Sequence, residues 1–373
     1  MKNTMGIILT GGSNNRLKEL STTRSISAIP VGGKYRAIDF ILSNMVNSGI
    51  TNVGVLTQYS FRSLMDHLGA GKEWDLDRRK NGLFIFPPYL SSEDTGWYKG
   101  TADAMHNNLT FLKRSDEDYV LIAQGNCVFN MDFNSLIDYH SAKDADITIV
   151  YRDMHDFTSE DLSLLGLMKM DQDNRVTDLQ EKPLHPFTTI ASTGVYFLKR
   201  ELLISLLEEC VAHGDYDFVK DVLIKKLGEL KVYGFEFKGH WRNLSTIQLY
   251  YKCNMELLSP EVRNELFIQN GKIYTKVKDE PPAKYNEEAE VRNSIIADGC
   301  IIEGLIENSV LFRGVVVKKG AVIRDSIIMQ GSLIEEGVTL QHAILDKGVT
   351  VTRSKFLKGE PNWPIILGKN VTV

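Results

Sequence analysis

Four short phrases near the end of the chain decide the fold of that region. They are Asn293-Ser-Ile-Ile-Ala-Asp-Gly299, Asn308-Ser-Val-Leu-Phe-Arg-Gly314, Asp325-Ser-Ile-Ile-Met-Gln-Gly331 and His342-Ala-Ile-Leu-Asp-Lys-Gly348, and they begin 15, 17 and 17 residues apart. A polar, small, apolar, apolar phrase that ends in glycine at about this spacing is typical of a parallel β-helix, in which branched residues stack inside and glycines turn the corners. An ordinary antiparallel sandwich is the alternative, but irregular hairpins do not repeat at this period.

Upstream of the repeats, apolar strands alternate with helices. Near-continuous apolar runs at 5–10, 53–57, 119–123 and 147–151 predict strands buried on both faces of a parallel sheet, and residues 37–47 and 200–210 have helical spacing. This alternation predicts a Rossmann-like, doubly wound α/β domain whose ligands bind at the carboxyl ends of its strands. We therefore expect an α/β domain at 1–250, a linker at 251–284 that contains Pro281-Pro282, and a β-helix at 285–373.

Composition restricts the function classes. The 373 residues are 43% hydrophobic and 24% charged, with a net charge of -5, so no global basic field attracts nucleic acid or anionic lipid. The four cysteines are widely separated, which argues against a zinc site or a disulfide framework. No run approaches the roughly 20 apolar residues of a membrane span. We expect a cytoplasmic protein without nucleic-acid or membrane partners.

Glycines follow the first predicted strand. Gly11-Gly12 opens the run that leads to Arg16-Leu17, and glycines at such a place allow backbone N–H groups to approach a phosphate. Two adjacent glycines after a strand also fit a tight turn. By itself, this motif is a weak indication of a nucleotide site.

Further motifs accompany these glycines in order along nearly the whole chain. They are Gly11-Gly12 with Arg16 and Arg24, Pro30–Phe40, Thr57-Gln-Tyr59, Trp97–Ala104, Glu181-Lys-Pro183, Ser192–Tyr196, Asp217–Asp221 and Trp241-Arg242. Together they resemble the bacterial glucose-1-phosphate adenylyltransferases (ADP-glucose pyrophosphorylases). This resemblance implies a nucleotidyltransferase domain followed by a left-handed β-helix. It also implies a tetrameric, metabolite-regulated enzyme that transfers AMP from ATP to glucose 1-phosphate with Mg²⁺.

The chain departs from the family pattern at four places. Where catalytic members read Gly-Asp-His and Trp-Arg-Asp, this chain has Gly125-Asn126-Cys127 and Trp241-Arg242-Asn243, so both metal-binding aspartates are asparagines. The third loop glycine is Asn14, and the lysine that meets the phosphates is Ile26. Since Mg²⁺ sites of this kind depend on carboxylates, we expect this chain to bind no metal and to retain no catalytic residue.

Other matched residues are kept. By resemblance, Glu181, Lys182, Ser192 and Asp217 contact glucose 1-phosphate, while Gly11, Gly12 and Gly100 belong to the substrate site. Gln58, Trp97 and Tyr98 match loop residues that respond to nucleotide and transmit activation. Arg24 and Arg36 match positions that bind phosphorylated effectors beside the β-helix. Taken alone, Glu181-Lys182-Pro183 is more typical of a solvated turn and Trp97-Tyr98 of a partly buried loop anchor. Arg24 and Arg36 also fit a pair of surface salt bridges.

The sequence therefore favours a regulatory, non-catalytic subunit similar to the GlgD-type partner of this enzyme. Such a chain assembles with a catalytic subunit into a heterotetramer in bacterial glycogen biosynthesis, and the partner uses the Mg²⁺. Two alternatives stay open. One is a self-sufficient adenylyltransferase that holds metal through Asp103 or Asp132, and the other is a stand-alone sensor of a sugar phosphate or nucleotide.

Overall fold

The structure, a computed structural model, describes residues 3–11, 15–89 and 96–373. Its first part is an α/β domain built around a nine-stranded sheet in the order β10-β9-β11-β6-β1-β4-β5, with β8 between β11 and β12. The strands of this domain are β1 (Thr4–Leu9), β2 (Pro30–Val31), β3 (Tyr35–Arg36), β4 (Asn52–Leu56), β5 (Gly82–Phe86), β6 (Tyr119–Gln124), β7 (Cys127–Val128), β8 (Ile147–Asp153), β9 (Gly166–Met170), β10 (Val176–Glu181), β11 (Ile190–Lys199), β12 (Val232–Glu236) and β13 (Arg242–Asn243).

The predicted parallel core is confirmed at its centre. Strands β6, β1, β4 and β5 run parallel, with Ile7 of β1 beside Ile122 of β6 and Gly54 of β4. Beyond β6 the pairing changes, since β11 is antiparallel to β6 and β8, while β8 is parallel to β12. The carboxyl ends of β1 and β6 therefore lie side by side, where the α/β rule places a ligand.

Helices cover both faces of this sheet. They are α1 (Ala37–Asn47), α2 (Arg62–Leu68), α3 (Thr101–His106), α4 (Leu109–Arg114), α5 (Asn134–Ala142), α6 (Ser159–Leu162), α7 (Arg200–Ala212), α8 (Ile224–Lys226), α9 (Ile247–Glu256) and α10 (Pro260–Asn264), with 3-10 turns at Asn15–Ser21, Ile26–Ala28 and Lys72–Trp74 and π turns at Phe218–Leu223 and Glu265–Gln269. Helix α1 has the predicted bounds, and it begins where the Asp39 carboxylate accepts the Arg36 N–H at 2.9 Å. Among the residues that the structure describes, no helix is long and apolar enough to cross a membrane.

The repeats form the predicted left-handed parallel β-helix of three five-stranded sheets. Its strands are β14 (Lys284–Tyr285), β15 (Glu290–Arg292), β16 (Ile295–Ile296), β17 (Ile301–Ile302), β18 (Leu305–Glu307), β19 (Val310–Leu311), β20 (Val316–Val317), β21 (Val322–Arg324), β22 (Ile327–Ile328), β23 (Leu333–Ile334), β24 (Thr339–Gln341), β25 (Ala343–Leu345), β26 (Thr350–Val351), β27 (Phe356–Lys358) and β28 (Ile365–Leu367). Branched side chains stack inside it in register, as in the fully buried column Ile302, Val317, Ile334 and Val351. The predicted corner glycines, Gly299, Gly314, Gly331 and Gly348, have positive φ.

The first residue of each phrase also turns a corner. Asn293, Asn308, Asp325 and His342 have φ between 40° and 47°, in the left-handed region. Asn and Asp enter that region more readily than other residues with a side chain, and His follows them. The polar start of each phrase therefore has the same backbone role as its glycine end.

The two domains share a hydrophobic core. The outer face of the sheet β16-β19-β22-β25-β28 packs on the α/β domain, so that Val310, Ile327 and Ile344 lie in one buried cluster with Leu17 and Tyr250. The proposed boundary at residue 250 falls inside α9. The segment predicted as a linker, 251–284, also carries α10 and buries Leu266 and Ile273 in that shared cluster.

Candidate functional site

A cavity of about 500 Å³ opens at the carboxyl ends of β1 and β6. Leu9 and Gln124, the last residues of these two strands, line it, together with Gly11 in a left-handed conformation (φ 77°). The cavity thus lies where the strand pattern predicts a ligand. Gly12 and Asn14, the other loop positions that the sequence singles out, lie outside the described residues.

Two asparagines from distant parts of the chain meet in one wall of this cavity. Strand β13 pairs with β7 so that Asn243 lies opposite Cys127, and the Leu244 N–H donates to the Asn126 carbonyl at 3.0 Å. As a result, the Asn126 side-chain amide donates to the Asn243 side-chain oxygen at 3.3 Å. The two positions where the resemblance expects metal-binding aspartates are therefore adjacent in the fold.

Arg242 holds Asn243 in place. Its guanidinium is nearly buried and bonds to the carboxylates of Asp156 at 2.6 Å and Glu256 at 2.7 Å. Burial acts to raise the pKa of the Asp156 carboxyl, but hydrogen bonding and charge attraction from Arg242 outweigh burial and lower the pKa to about 2. This ion-pair cluster fixes the short strand that presents Asn243 to the cavity.

The wall does not fit a Mg²⁺ ion. Mg²⁺ prefers anionic oxygen ligands, whereas this pair supplies two neutral amides. Both amide oxygens already accept hydrogen bonds, that of Asn243 from Asn126 at 3.3 Å and that of Asn126 from the Cys127 thiol at 4.0 Å. The acids proposed as substitutes lie elsewhere: Asp103 accepts the Lys99 N–H at 2.7 Å, and Asp132 accepts from Ser48 and from the Asn134 N–H at the start of α5. Neither carboxylate lines the cavity.

Among the described lining residues is one cation that the sequence argument did not assign to the site. Ile26, the position where the resemblance expects a lysine, lines the cavity and is nearly buried in the 3-10 turn Ile26–Ala28. Arg16 lines the cavity as well. It belongs to the glycine motif quoted above, so its place five residues after Gly11 was the available signal.

Three of the four residues predicted to contact glucose 1-phosphate lie together in the cavity lining. Glu181, Lys182 and Ser192 line the cavity, and the Lys182 ammonium lies 2.7 Å from the Glu181 carboxylate. Asp217 does not line it. Its carboxylate instead accepts from the N–H groups of Val219 and Lys220 at 2.9 Å and starts the π turn Phe218–Leu223.

The loop residues Gln58, Trp97, Tyr98 and Gly100 form a separate group beside the cavity. The Gln58 amide donates to the Tyr98 carbonyl at 3.2 Å, while Trp97 is exposed and stacks on Tyr59 at 5.0 Å between ring centroids. Gly100 lies so close to the Tyr216 carbonyl that a β-carbon there would overlap it. None of these four lines the cavity.

A groove between the two domains collects positive charge. We call it the interdomain groove, and its lining includes six cations and no carboxylate among the described residues: Lys34, Arg36, Lys276, Lys278, Arg313 and Lys347. Burial lowers the pKa of Lys347 to about 7, and the charges of Arg36 and Arg24 act in the same direction. Burial likewise lowers the pKa of Arg36. Like charges at this density, with no carboxylate among the described lining residues, favour a multiply charged anion.

The two arginines predicted to bind effectors have different surroundings. Arg36 lines the interdomain groove and donates to the Ser63 hydroxyl at 3.0 Å. Arg24 does not line it. Its guanidinium is buried and bonds to the fully buried carboxylate of Asp346 at 2.8 Å, so it ties the α/β domain to the β-helix.

Comparisons with known proteins agree with both halves of this architecture. A nucleotidyl transferase family model matches residues 5–260, and a model of the GlmU-like, C-terminal hexapeptide matches residues 281–357. The glucose-1-phosphate adenylyltransferase of Geobacillus stearothermophilus is 39% identical over 86% of this chain and 83% of its own length. Those of Thermotoga maritima and Clostridium perfringens strain 13 are 41% and 40% identical, over 87% and 86% of this chain and 77% and 82% of their own lengths.

Proposed function

Because the chain belongs to the glucose-1-phosphate adenylyltransferase family, we propose that it is a regulatory, non-catalytic subunit of that enzyme in the cytoplasm. One observation carries the proposal: Asn126 and Asn243 lie together in the cavity wall, where the family resemblance expects two metal-binding aspartates. Nucleotidyl transfer depends on electrostatic stabilisation of phosphate charge, and one such group is typically worth about 2.7 to 4 kcal/mol. The loss of two acids and a lysine at one cavity removes that stabilisation.

The self-sufficient alternative lacks support from the geometry. Asp103 and Asp132 are both engaged by backbone N–H groups at helix starts, and neither lines the cavity. A metal held by them would lie away from Lys182 and Ser192, which line the cavity. The catalytic partner, with both aspartates, supplies the Mg²⁺ chemistry in the proposed heterotetramer.

In this proposal, the regulatory effector is an anion that binds in the interdomain groove. Its six cations come from the α/β domain, from the segment 251–284 and from the β-helix, so an anion bound there contacts every part of the chain. We assign Arg36 to this effector site as a direct contact. Arg24 supports it from behind, through its bond with Asp346.

Activity of the purified chain tests the proposal. Pyrophosphate release from ATP and glucose 1-phosphate, measured in Mg²⁺ buffer at high protein concentration, should be negligible alone. Added to a catalytic chain of the same organism that has both aspartates, the chain should join its oligomer and change the activation of that oligomer by phosphorylated metabolites. Turnover of the isolated chain within the usual enzyme range of about 1 to 1000 per second contradicts a non-catalytic role.

Reversal gives a second test. A chain with Asn126→Asp, Asn243→Asp, Ile26→Lys and Asn14→Gly should regain part of the Mg²⁺-dependent formation of ADP-glucose. The two acids act as one metal site. The rate gained with both aspartates should therefore exceed the product of the rate gains from the two single substitutions. A folded quadruple variant that binds glucose 1-phosphate but stays inactive means that the site has diverged beyond these positions.

A further inference from the structure

We propose that the Asn126–Asn243 pair converts the cavity into a site that binds a sugar nucleotide directly, without a divalent cation. The inference rests on the proposed function, since it takes the ligand class from the family and the binding mode from this chain. It concerns binding alone and requires no chemical step. The pair then acts as a positive feature of the site, and not simply as lost acids.

The hydrogen-bonding chemistry of the pair supports this mode. A carboxylate only accepts hydrogen bonds, so an acid at either position needs a cation between itself and a phosphate. An asparagine side chain carries two N–H donors. In the observed arrangement one of the four donors of the pair is used, from Asn126 to the Asn243 oxygen at 3.3 Å. Among the residues that the structure describes, the other three donors have no acceptor, and phosphate oxygens are acceptors.

The net charge of the cavity lining also favours binding of an anion without a metal ion. Its described charged lining groups are Arg16, Lys182 and Glu181, which is two positive charges against one negative charge. Two aspartates in place of the asparagines would turn this excess of one positive charge into an excess of one negative charge. A metal ion would then be needed to neutralise the acids before an anion could enter, whereas the present lining attracts the anion itself.

Isothermal titration calorimetry with ADP-glucose tests the inference on the full chain. Binding should be equally tight, within about twofold, in EDTA and in Mg²⁺ buffer. The Asn126→Asp/Asn243→Asp variant should bind roughly tenfold or more weakly in EDTA, because two carboxylates repel the diphosphate, and it should recover in Mg²⁺.

The chain contains a matched control for this double substitution. Asn293 and Asn308 form another asparagine pair, with the Asn293 amide donating to the Asn308 oxygen at 2.8 Å on the surface of the β-helix. Asn293→Asp/Asn308→Asp makes the same charge change outside the cavity and should leave ADP-glucose binding unchanged in both buffers. Asn126→Leu removes two donors without adding charge, and it should weaken binding in both buffers alike even if the double aspartate does not fold.

Three results overturn the inference: native binding that requires Mg²⁺, no ADP-glucose binding in either buffer, or a folded double-aspartate variant that binds in EDTA as the native chain does. Each leaves the proposed regulatory role standing, since that role fails separately, through pyrophosphate release by the native chain. Binding without metal and the absence of turnover are thus measured independently.

Discussion

The buried ion pair between Arg24 and Asp346 is the bond whose loss should most weaken the contact between the domains. Its atoms lie 2.8 Å apart, with side chains 4% and 0% exposed. At an effective dielectric constant of about 20, that distance corresponds to about 6 kcal/mol of gross attraction, much of which offsets desolvation. Asp346→Asn leaves the Arg24 charge buried without its carboxylate. We therefore expect this substitution to lower the free energy of unfolding by about 3 to 5 kcal/mol.

Urea unfolding followed by far-UV circular dichroism measures this change. The matched control is Glu307→Gln, because Arg324 and Glu307 form a pair at 3.1 Å with side chains 47% and 33% exposed. An exposed pair of that kind is worth at most about 1 kcal/mol. A cost of Asp346→Asn no larger than that of Glu307→Gln would refute the assignment of Arg24 as a buried tie between domains.

The double variant Arg24→Met/Asp346→Leu separates structure from effector binding. Replacing a buried ion pair by apolar side chains of similar size is often neutral in stability, so this variant should recover most of the free energy lost in Asp346→Asn. If Arg24 acts only from behind the groove, the variant should also keep its response to anionic effectors, while Arg36→Gln should lose it. Loss of the response in a stable double variant shows that Arg24 contacts the effector.

Two further measurements test the interface. Phe312→Ala should lower the free energy of unfolding by about 3 to 5 kcal/mol, because Phe312 is buried in the core that the domains share. Phe356 has a 67% exposed side chain in the last coils, so Phe356→Ala should lower it by about 0.5 kcal/mol or less in the same urea titration. Burial lowers the pKa of Lys347 from its ordinary 10.5 to about 7 in the folded chain. Between pH 7 and pH 10.5 the unfolded chain therefore binds more protons than the folded chain. In this range the free energy of unfolding should rise by up to about 1.4 kcal/mol per pH unit. Lys347→Met should remove that part of the slope, and an unchanged slope shows that Lys347 is charged throughout.

The local pattern predicted much of the fold because it depends on nearby residues. Helix α1 has the predicted bounds, since Ile38, Ile41 and Met45 recur at helical spacing and are all fully buried. The β-helix followed from its period. The change to antiparallel pairing at β11 was not predictable in this way, because an apolar run does not record the direction of its neighbour.

Site residues that belong to a sequence motif were predictable. Contacts between residues that lie far apart in the sequence were not. Asn126 and Asn243 could be compared with a family pattern, and they lie in one cavity wall. Asp346, the partner of Arg24, is 322 residues away along the chain, and no spacing rule connects the two. Arg36 of the interdomain groove was predicted from a motif, but the other five cations of its lining were not, for the same reason. Lys276 and Lys278 belong to a segment predicted as a linker, and only the packing of the β-helix brings them beside Arg36.

A single helix connects the groove to the cavity. At its start, Asp39 accepts the N–H of Arg36 at 2.9 Å, and Arg36 lines the groove. One turn before its end, the Asn44 amide donates to the Phe129 carbonyl at 3.1 Å, directly after β7, the strand that follows Asn126. The residues between are buried, so α1 has little freedom to change shape without moving both ends. Helix α1 therefore joins the lining of the interdomain groove to the segment that follows Asn126, and the two hydrogen bonds that make this connection involve neither Asn126 nor Asn243.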